Sequence, residues 1–424
     1  MKVQSQLDIG VVALDVDEEV TVMVDLEAPN ALPGLPRPVA SLEVVLDRSG
    51  SMAGAPLEGA KEALVSLVRQ LDPSDNFGLV VFDHEAEVVV AAQPIADKEE
   101  VIRKIRGVAA RGSTDLGAGL LRGLRDIKRV ASSGATVLII SDGHVNAGLQ
   151  DVARFAGVAA KAHADGVVIS TLGYGEHYDE SLLSAIARSG TGNHGFAADP
   201  DAAAAAVAGE VDGLLSKTAQ AVTLTLDLES AVDMVRLYND LPTVALPEGR
   251  IMIELGDLFA DEKRRLLIKL KVPGRSELGE TAVAEIEIEY VALPGLVEHR
   301  VTIPIVVNVV PGSEAAGRLV HPLVESEKLF QDAQESKRLA SEGFEQGDVE
   351  SARSHLLEAE RHLASALQIA PAGSVAEIQK EAASVERMRN LATQRSTEYM
   401  SKLSRSSFHE MNRKRGRDAY PATS

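Results

Sequence analysis

Apolar residues at every second position mark residues 1–28 as strand. Val20, Val22, Val24 and Leu26 alternate there with Thr21, Asp25 and Glu27. Pro29, Pro33, Pro36 and Pro38 follow, in and around NALPGLPRP. A sheet cannot continue through that many prolines, so this stretch is expected to be a linker. From Ser41 the pattern changes. Leu42–Leu46 is a short apolar run, and Pro56–Leu71 sets Ala60, Leu64, Leu67, Val68 and Leu71 on one helical face. Further strands are expected at Phe77–Phe82, Val88–Ala92, Thr136–Ile140, Val167–Leu172 and His194–Ala197. Helices are expected at Leu116–Val130, Asp151–Asp165, Asp179–Arg188 and Asp201–Leu215. Uniformly apolar strands separated by helices predict a parallel sheet covered on both faces. Residues 41–216 are therefore expected to form one doubly wound, Rossmann-like α/β domain.

After Lys217 strict alternation returns, at Val222–Leu228, Ile251–Leu255, Ala284–Tyr290 and Val301–Val309. This predicts an antiparallel β-sandwich over residues 217–312. The strands of residues 1–40 are expected to complete it, because the ends of a domain often lie close together. The α/β domain would then be an insertion in the sandwich. Residues 313–403 are expected to be helical: Leu329–Phe344 and Val349–Leu367 flank the turn EQGD, and Ser374–Met400 is a further helix. Ala352, Leu356, Ala359, Leu363 and Leu367 form an apolar stripe on the second of these. Residues 404–424, which carry RKRGR, are expected to be a basic, frayed tail.

Charge narrows the partners. The net charge over 424 residues is −20. From Arg318 onward acidic and basic residues balance, so all of the excess lies on residues 1–317. That argues against nucleic acid or an anionic membrane as the main partner. With aromatics at 3% and no Trp, stacking platforms for bases are scarce as well. The absence of cysteine removes disulfides, thiolate nucleophiles and Zn–thiolate sites. The first twenty residues have no apolar core of the signal-peptide kind, and no run of about 18 apolar residues occurs. The expected location is the cytoplasm.

The chemistry sits at strand ends. VVLDRSGSMAG, Val44–Gly54, leaves an apolar run with Asp47, Ser49 and Ser51 two residues apart. Turn formation explains the glycines and serines, but it does not require a carboxylate flanked by two hydroxyls. Together these are hard oxygen donors. RGSTDLGAGL adds Thr114, and IISDGHVNAG adds Asp142 after the Thr136–Ile140 strand. In an open α/β sheet, ligands bind at the C-terminal ends of strands where the order reverses. If the first and fourth strands of the domain are neighbours, all five oxygens converge. Each of these residues alone is better read as a cap or turn former; the five together point to a metal.

Asp47-x-Ser49-x-Ser51, Thr114 and Asp142, in that order and in three separate loops, resemble the metal-ion-dependent adhesion site of von Willebrand factor type A domains. The resemblance covers residues 41 to about 216, and LDRSGSM is more similar to the bacterial and intracellular branch than to the integrin branch. The flanking β region loosely resembles that of inter-α-trypsin-inhibitor heavy chains. The resemblance implies a protein-binding module, not an enzyme. It implies Mg²⁺ or Mn²⁺, with Ca²⁺ a third candidate, and a partner Asp or Glu in the open coordination position. It also implies coupling to the helix at Asp201–Leu215. The C-terminal helices would oligomerise or dock a second protein. The alternative is an adaptor or co-chaperone of a MoxR-type AAA+ ATPase or a chelatase-like complex. A metal-dependent phosphohydrolase using Asp47 as nucleophile is disfavoured, because Ser49 stands where such enzymes usually carry a second Asp. The P-loop, dinucleotide, nucleophile-elbow and HExxH motifs are absent.

Other polar residues are read more plainly. Asp115 is expected to cap the helix at Leu116. Asp83-His84-Glu85 is expected to be a turn, His144 either a loop residue or part of the partner face, and His355 and His362 surface or packing residues.

Overall fold

A computed structural model describes residues 1–30, 37–131, 134–143, 145–175 and 177–412. Most of the proline-rich linker, His144 and the RKRGR segment lie outside the described residues. Three strands come first: β1 (Lys2–Leu7), β2 (Val11–Ala13) and β3 (Glu18–Glu27).

The α/β unit follows as β4 (Ser41–Asp47), α1 (Ala55–Gln70), β5 (Asn76–Phe82), β6 (Ala86–Pro94), α2 (Lys98–Arg106), α3 (Leu116–Ile127) and β7 (Ala135–Ser141). It continues through α4 (Val152–Ala164), β8 (Val167–Tyr174), α5 (Glu180–Ser189), β9 (Thr191–Ala197) and α6 (Pro200–Leu215). Its sheet has the order β6-β5-β4-β7-β8-β9, parallel except for the edge strand β6. The strands β4, β5 and β7 are buried at every position, as their lack of polar alternation requires. Helices α1, α2 and α6 cover one face and α3, α4 and α5 the other. The helix α2 was not anticipated. Only Ile102 and Ile105 face inward from a mostly charged segment, and its start is fixed by Asp97, whose carboxylate accepts the Glu100 N–H at 3.0 Å.

The next elements are β10 (Lys217–Leu228), β11 (Asp233–Leu237), β12 (Thr243–Ala245), β13 (Ile251–Phe259), β14 (Lys263–Val272), β15 (Gly279–Ala292) and β16 (Val297–Val310). They build two sheets with the N-terminal strands, in the orders β1-β3-β14-β11 and β12-β13-β10-β15-β16-β2. Pairing is antiparallel apart from β2, which lies parallel to β16. One core joins the two sheets, with Val20, Val22 and Val24 from the first and Leu224, Leu226 and Ile286 from the second. The strand β14 does not alternate cleanly because both of its faces are covered: Leu266 and Ile268 enter that core, while Leu267 packs with Met23, Tyr238 and Val324 on the other side.

The chain ends in α7 (Gly312–Ala315), α8 (Pro322–Glu345), α9 (Val349–Ile369), α10 (Ala372–Leu391) and α11 (Thr397–Asn412). The α9 stripe is consumed internally: Ala352, Leu356, Ala359 and Leu363 share a core with Phe330, Val385 and Met400. Two expectations are corrected here. The single helix at Ser374–Met400 is two helices, restarted where Ser396 Oγ accepts the Tyr399 N–H at 3.1 Å. Residues 404–412 are not a frayed tail but the second half of α11, with Ser404, Phe408, His409 and Asn412 buried. Most of what α11 buries is polar and bonded to other elements, so a search for apolar periodicity passes over it. Ser184 Oγ and His409 Nε2 lie 2.7 Å apart, and Lys402 Nζ donates to the Tyr178 carbonyl at 3.0 Å. Among the described residues no helix is long and apolar enough to cross a membrane.

Candidate metal centre

The parallel register sets β4 beside β7, with Leu46 opposite Ile140. The two chains therefore leave the sheet together, carrying Asp47 and Asp142 to the same edge. Asp47 Oδ1 accepts the Ser49 N–H at 2.8 Å, which folds the loop back over the strand end. A short 3₁₀ turn at Gly50–Met52 then presents Ser51. Ser49 Oγ and Ser51 Oγ lie 3.0 Å apart, and Ser51 Oγ donates to Asp142 Oδ1 at 2.8 Å. The first and third loops are thus joined through side-chain oxygens.

Thr114 arrives from the loop before α3. Its N–H donates to Asn146 Oδ1 at 2.9 Å, and its carbonyl accepts the N–H groups of Asn146 and Ala147, each at 3.2 Å. Its hydroxyl borders the same space. A Cβ placed on Gly143 would lie 3.2 Å from Ser51 Oγ and 3.5 Å from Thr114 Oγ1, so the bare glycine keeps that space open. All five residues picked out in the sequence face one cluster. Asp47, Ser49, Thr114 and Asp142 are buried, while Ser51 faces solvent.

Two buried carboxylates meet here, and among the described residues neither takes part in an ion pair. Burial pushes the Asp142 carboxyl up to about 6; the Ser51 hydrogen bond opposes the shift and the charge of Asp47 adds to it. Burial also raises Asp47, against hydrogen bonds from Ser141 and Ser49. Concentrated negative charge with only hydroxyl and amide partners is an arrangement that a divalent cation would relieve. The donors are all hard oxygens, which suit Mg²⁺, Mn²⁺ or Ca²⁺.

Three features escaped the sequence reading. Ser141, just before Asp142, donates its hydroxyl to Asp47 Oδ2 at 2.6 Å. Asn146 holds the Thr114 loop. Asp83, read as a turn residue, does form a turn, with its N–H donating to the Glu85 carbonyl at 2.9 Å; it also binds Arg48 and Arg111. Asp115 caps α3 as expected, accepting the Ala118 N–H at 2.9 Å. Among the described residues no group of three or more His, Asp or Glu could hold a metal ion.

Residues 42–207 match the family model of the von Willebrand factor type A domain. The protein sll0103 of Synechocystis sp. is 26% identical over 256 residues, covering 57% of this chain and 60% of its own. The Homo sapiens inter-alpha-trypsin inhibitor heavy chain H3 is 30% identical over 181 residues, 40% of this chain and 20% of its own. The matches thus span less than two thirds of either relative. Two solved structures share the fold along nearly the whole chain. The von Willebrand factor type A protein from Catenulispora acidiphila superposes with a TM-score of 0.76 at 17% identity, covering 98% of this chain and 97% of that one. The ArnB paralog VWA2 from Sulfolobus acidocaldarius gives 0.63 at 14% identity, covering 96% and 98%.

Proposed function

Given that residues 42–207 form a von Willebrand factor type A domain, we propose that the protein captures an acidic side chain of a partner protein through a divalent cation held by Asp47, Ser49, Ser51, Thr114 and Asp142. Domains of this family typically mediate protein–protein interactions. The observation that carries the reading is the Ser49–Ser51–Asp142 chain of oxygens at 3.0 and 2.8 Å, closed around two buried carboxylates. A cation held by these five residues would supply positive charge able to attract a carboxylate oxygen of the partner. The chain's own part is to fix the donors. Asp47 is held from both sides, by Ser49 N–H and Ser141 Oγ. Three hydroxyl donors and few carboxylates leave charge for the partner to neutralise. Mg²⁺ or Mn²⁺ suits this donor set, and Ca²⁺, which prefers more ligands, suits it less well.

We read the remaining architecture as a support for that edge. The pairing of β3 with β14 along ten positions, from Lys263↔Glu27 to Val272↔Glu18, supports a sandwich of residues 1–40 and 217–312 interrupted by the α/β domain of 41–216. The helical region, which on this structure runs from 313 to at least 412, is the proposed second docking or self-association surface.

Affinity capture from the source lysate tests the function, with Mg²⁺ or EDTA and with wild type or Asp47→Ala. A protein retained only by wild type and only with metal is the expected result. Capture indifferent to both would move binding to the sandwich or the helices.

A further inference from the structure

The loops that carry the metal donors belong to different parts of the chain, and two acids outside the donor set face both: the half-exposed Glu87, 2.9 Å from Arg48 and 3.6 Å from Arg111, and the buried Asp83. Asp83 closes β5, and its side chain is fully buried. Oδ2 accepts the Arg48 Nε–H at 2.7 Å and the Arg111 Nε–H at 2.8 Å. Oδ1 accepts the Glu85 N–H at 3.1 Å and lies 2.8 Å from His84 Nδ1. Its carbonyl accepts the Asp115 N–H at 2.7 Å. Two guanidinium groups already compensate the Asp83 charge, as no cation does for Asp47 or Asp142 among the described residues, so Asp83 is a support and not a ligand.

The bonded partners matter more than their number. Arg48 is the residue between Asp47 and Ser49. Neighbours in an extended segment point to opposite sides. Fastening the Arg48 side chain to Asp83 therefore turns Asp47 and Ser49 toward the metal face. Arg111 opens the loop that delivers Thr114, and the Arg111 N–H donates to the Arg48 carbonyl at 2.7 Å. One position on, the Gly50 N–H donates to the Gly112 carbonyl at 3.1 Å. Gly112 has a φ of +75°, and a Cβ there would fall 2.6 Å from His84 Nδ1 and 3.1 Å from Asp83 Cβ. The left-handed φ and the close pass by His84 and Asp83 together favour glycine there. We infer that Asp83 is the positioning residue of the metal centre, clamping the Asp47–Ser51 loop to the Thr114 loop through Arg48 and Arg111.

The pair is built to persist. Burial pushes the Asp83 carboxyl up, but hydrogen bonds from Arg111, the Glu85 N–H and Arg48 outweigh it and hold it at about 2. Removing the Asp83 charge leaves the buried Arg48 with only the half-exposed Glu87 as a counter-ion, which loosens the hold on both loops. Outer-shell partners of metal ligands typically change affinity by about 10–100-fold.

The inference rests on the metal reading above, and a Mn²⁺ titration by calorimetry on the full chain separates the two. Wild type should bind Mn²⁺ and Asp47→Ala should not. Asp83→Asn and Arg111→Gln should each weaken binding about 10–100-fold. The double variant should be weaker than either by less than the product of the two losses, because both act on one clamp. Arg111→Lys, which keeps the charge, should recover part of the affinity. Ile186→Val, a core change on α5, should destabilise the fold without changing Mn²⁺ affinity at a temperature where the protein is folded. If Asp83→Asn fails to fold, Arg111→Gln carries the test, since that side chain is 55% exposed and its loss spares the core. Wild-type affinity in both Asp83→Asn and Arg111→Gln overturns the clamp and leaves the metal reading intact. No binding by wild type overturns both.

Discussion

Ser141 holds Asp47: the last residue of β7 donates its hydroxyl to the first carboxylate of the candidate metal site across the strand boundary, at 2.6 Å. The bond links the two strands that carry the acids and, with the Ser49 N–H on the other oxygen, fixes the plane of the Asp47 carboxylate. Ser141→Ala should weaken Mn²⁺ binding about tenfold without changing the fold. Calorimetry on the two proteins checks this, and equal affinities would show that Ser49 N–H alone orients Asp47.

Metal should stabilise the native chain by mass action. At a free Mg²⁺ concentration 100 times the dissociation constant the gain is about 2.7 kcal/mol. Thermal unfolding with Mg²⁺ against EDTA should show that increment in wild type and lose it in Asp142→Ala. A shift of equal size in the variant would place the stabilising ion elsewhere.

Glu43 makes a pH prediction of opposite sign to the usual carboxylate. It lies fully buried in β4, and burial together with the charge of Asp126 raises its carboxyl to about 9. Its carboxyl also occupies the place where a side chain on Gly78 would stand. The folded protein keeps this proton while the unfolded chain releases it near the ordinary glutamate value. Stability contributed by Glu43 is therefore present below about pH 4.5 and is lost as pH rises toward 9, with a slope of up to about 1.4 kcal/mol per unit. Glu43→Gln should flatten that decline. Urea midpoints from pH 5 to 9 provide the comparison, and parallel curves would mean that Glu43 ionises with little penalty in the folded state.

Lys337 and Glu381 form a buried ion pair between α8 and α10, with Gln334 and Ser407 bonded to the same ammonium. Lys337→Met alone should cost about 3–5 kcal/mol, because it strands the Glu381 charge. The double change Lys337→Met/Glu381→Leu should recover most of that loss. Chemical denaturation of the three proteins measures both effects, and a double variant as weak as the single would show that the pair is net stabilising.

Asn412 ties three elements together. Its amide donates to the Tyr238 carbonyl and to Gln331 Oε1, each at 2.9 Å, and its carbonyl accepts the Asn239 side-chain amide at 2.7 Å. Asn412→Ala leaves buried acceptors unmet and should cost about 1–3 kcal/mol. It should also raise amide exchange along α11 before the rest of the chain opens. Unchanged exchange there would mean that Ser184, Tyr178 and Glu180 suffice to hold the helix.

The convergence of the five candidate residues was legible because its signal is local: Asp47, Ser49 and Ser51 fall within five residues, and Thr114 and Asp142 each sit beside a recognisable strand or helix. The strands of the α/β unit were legible because burial on both faces leaves unbroken apolar runs. What escaped depends on neighbours distant in sequence. Ser141 is an ordinary serine until β7 is set beside β4. Asp83 forms the expected turn, and its bonds to Arg48 and Arg111 follow only from the sheet order. The strand β14 loses its alternation because α8 covers its outer face, and α11 hides its docking surface in serine, lysine, histidine and asparagine.

The ends of the α/β unit meet at one place. Ala40 and Ser41, where β4 begins, border the same small recess as Leu214 and Lys217, where α6 gives way to β10. That recess lies at the N-terminal edge of the parallel strands, opposite the acids. A tug on anything gripped at the metal edge would therefore run lengthwise down β4, through a ladder of bonds loaded in shear, to an anchor at the far side.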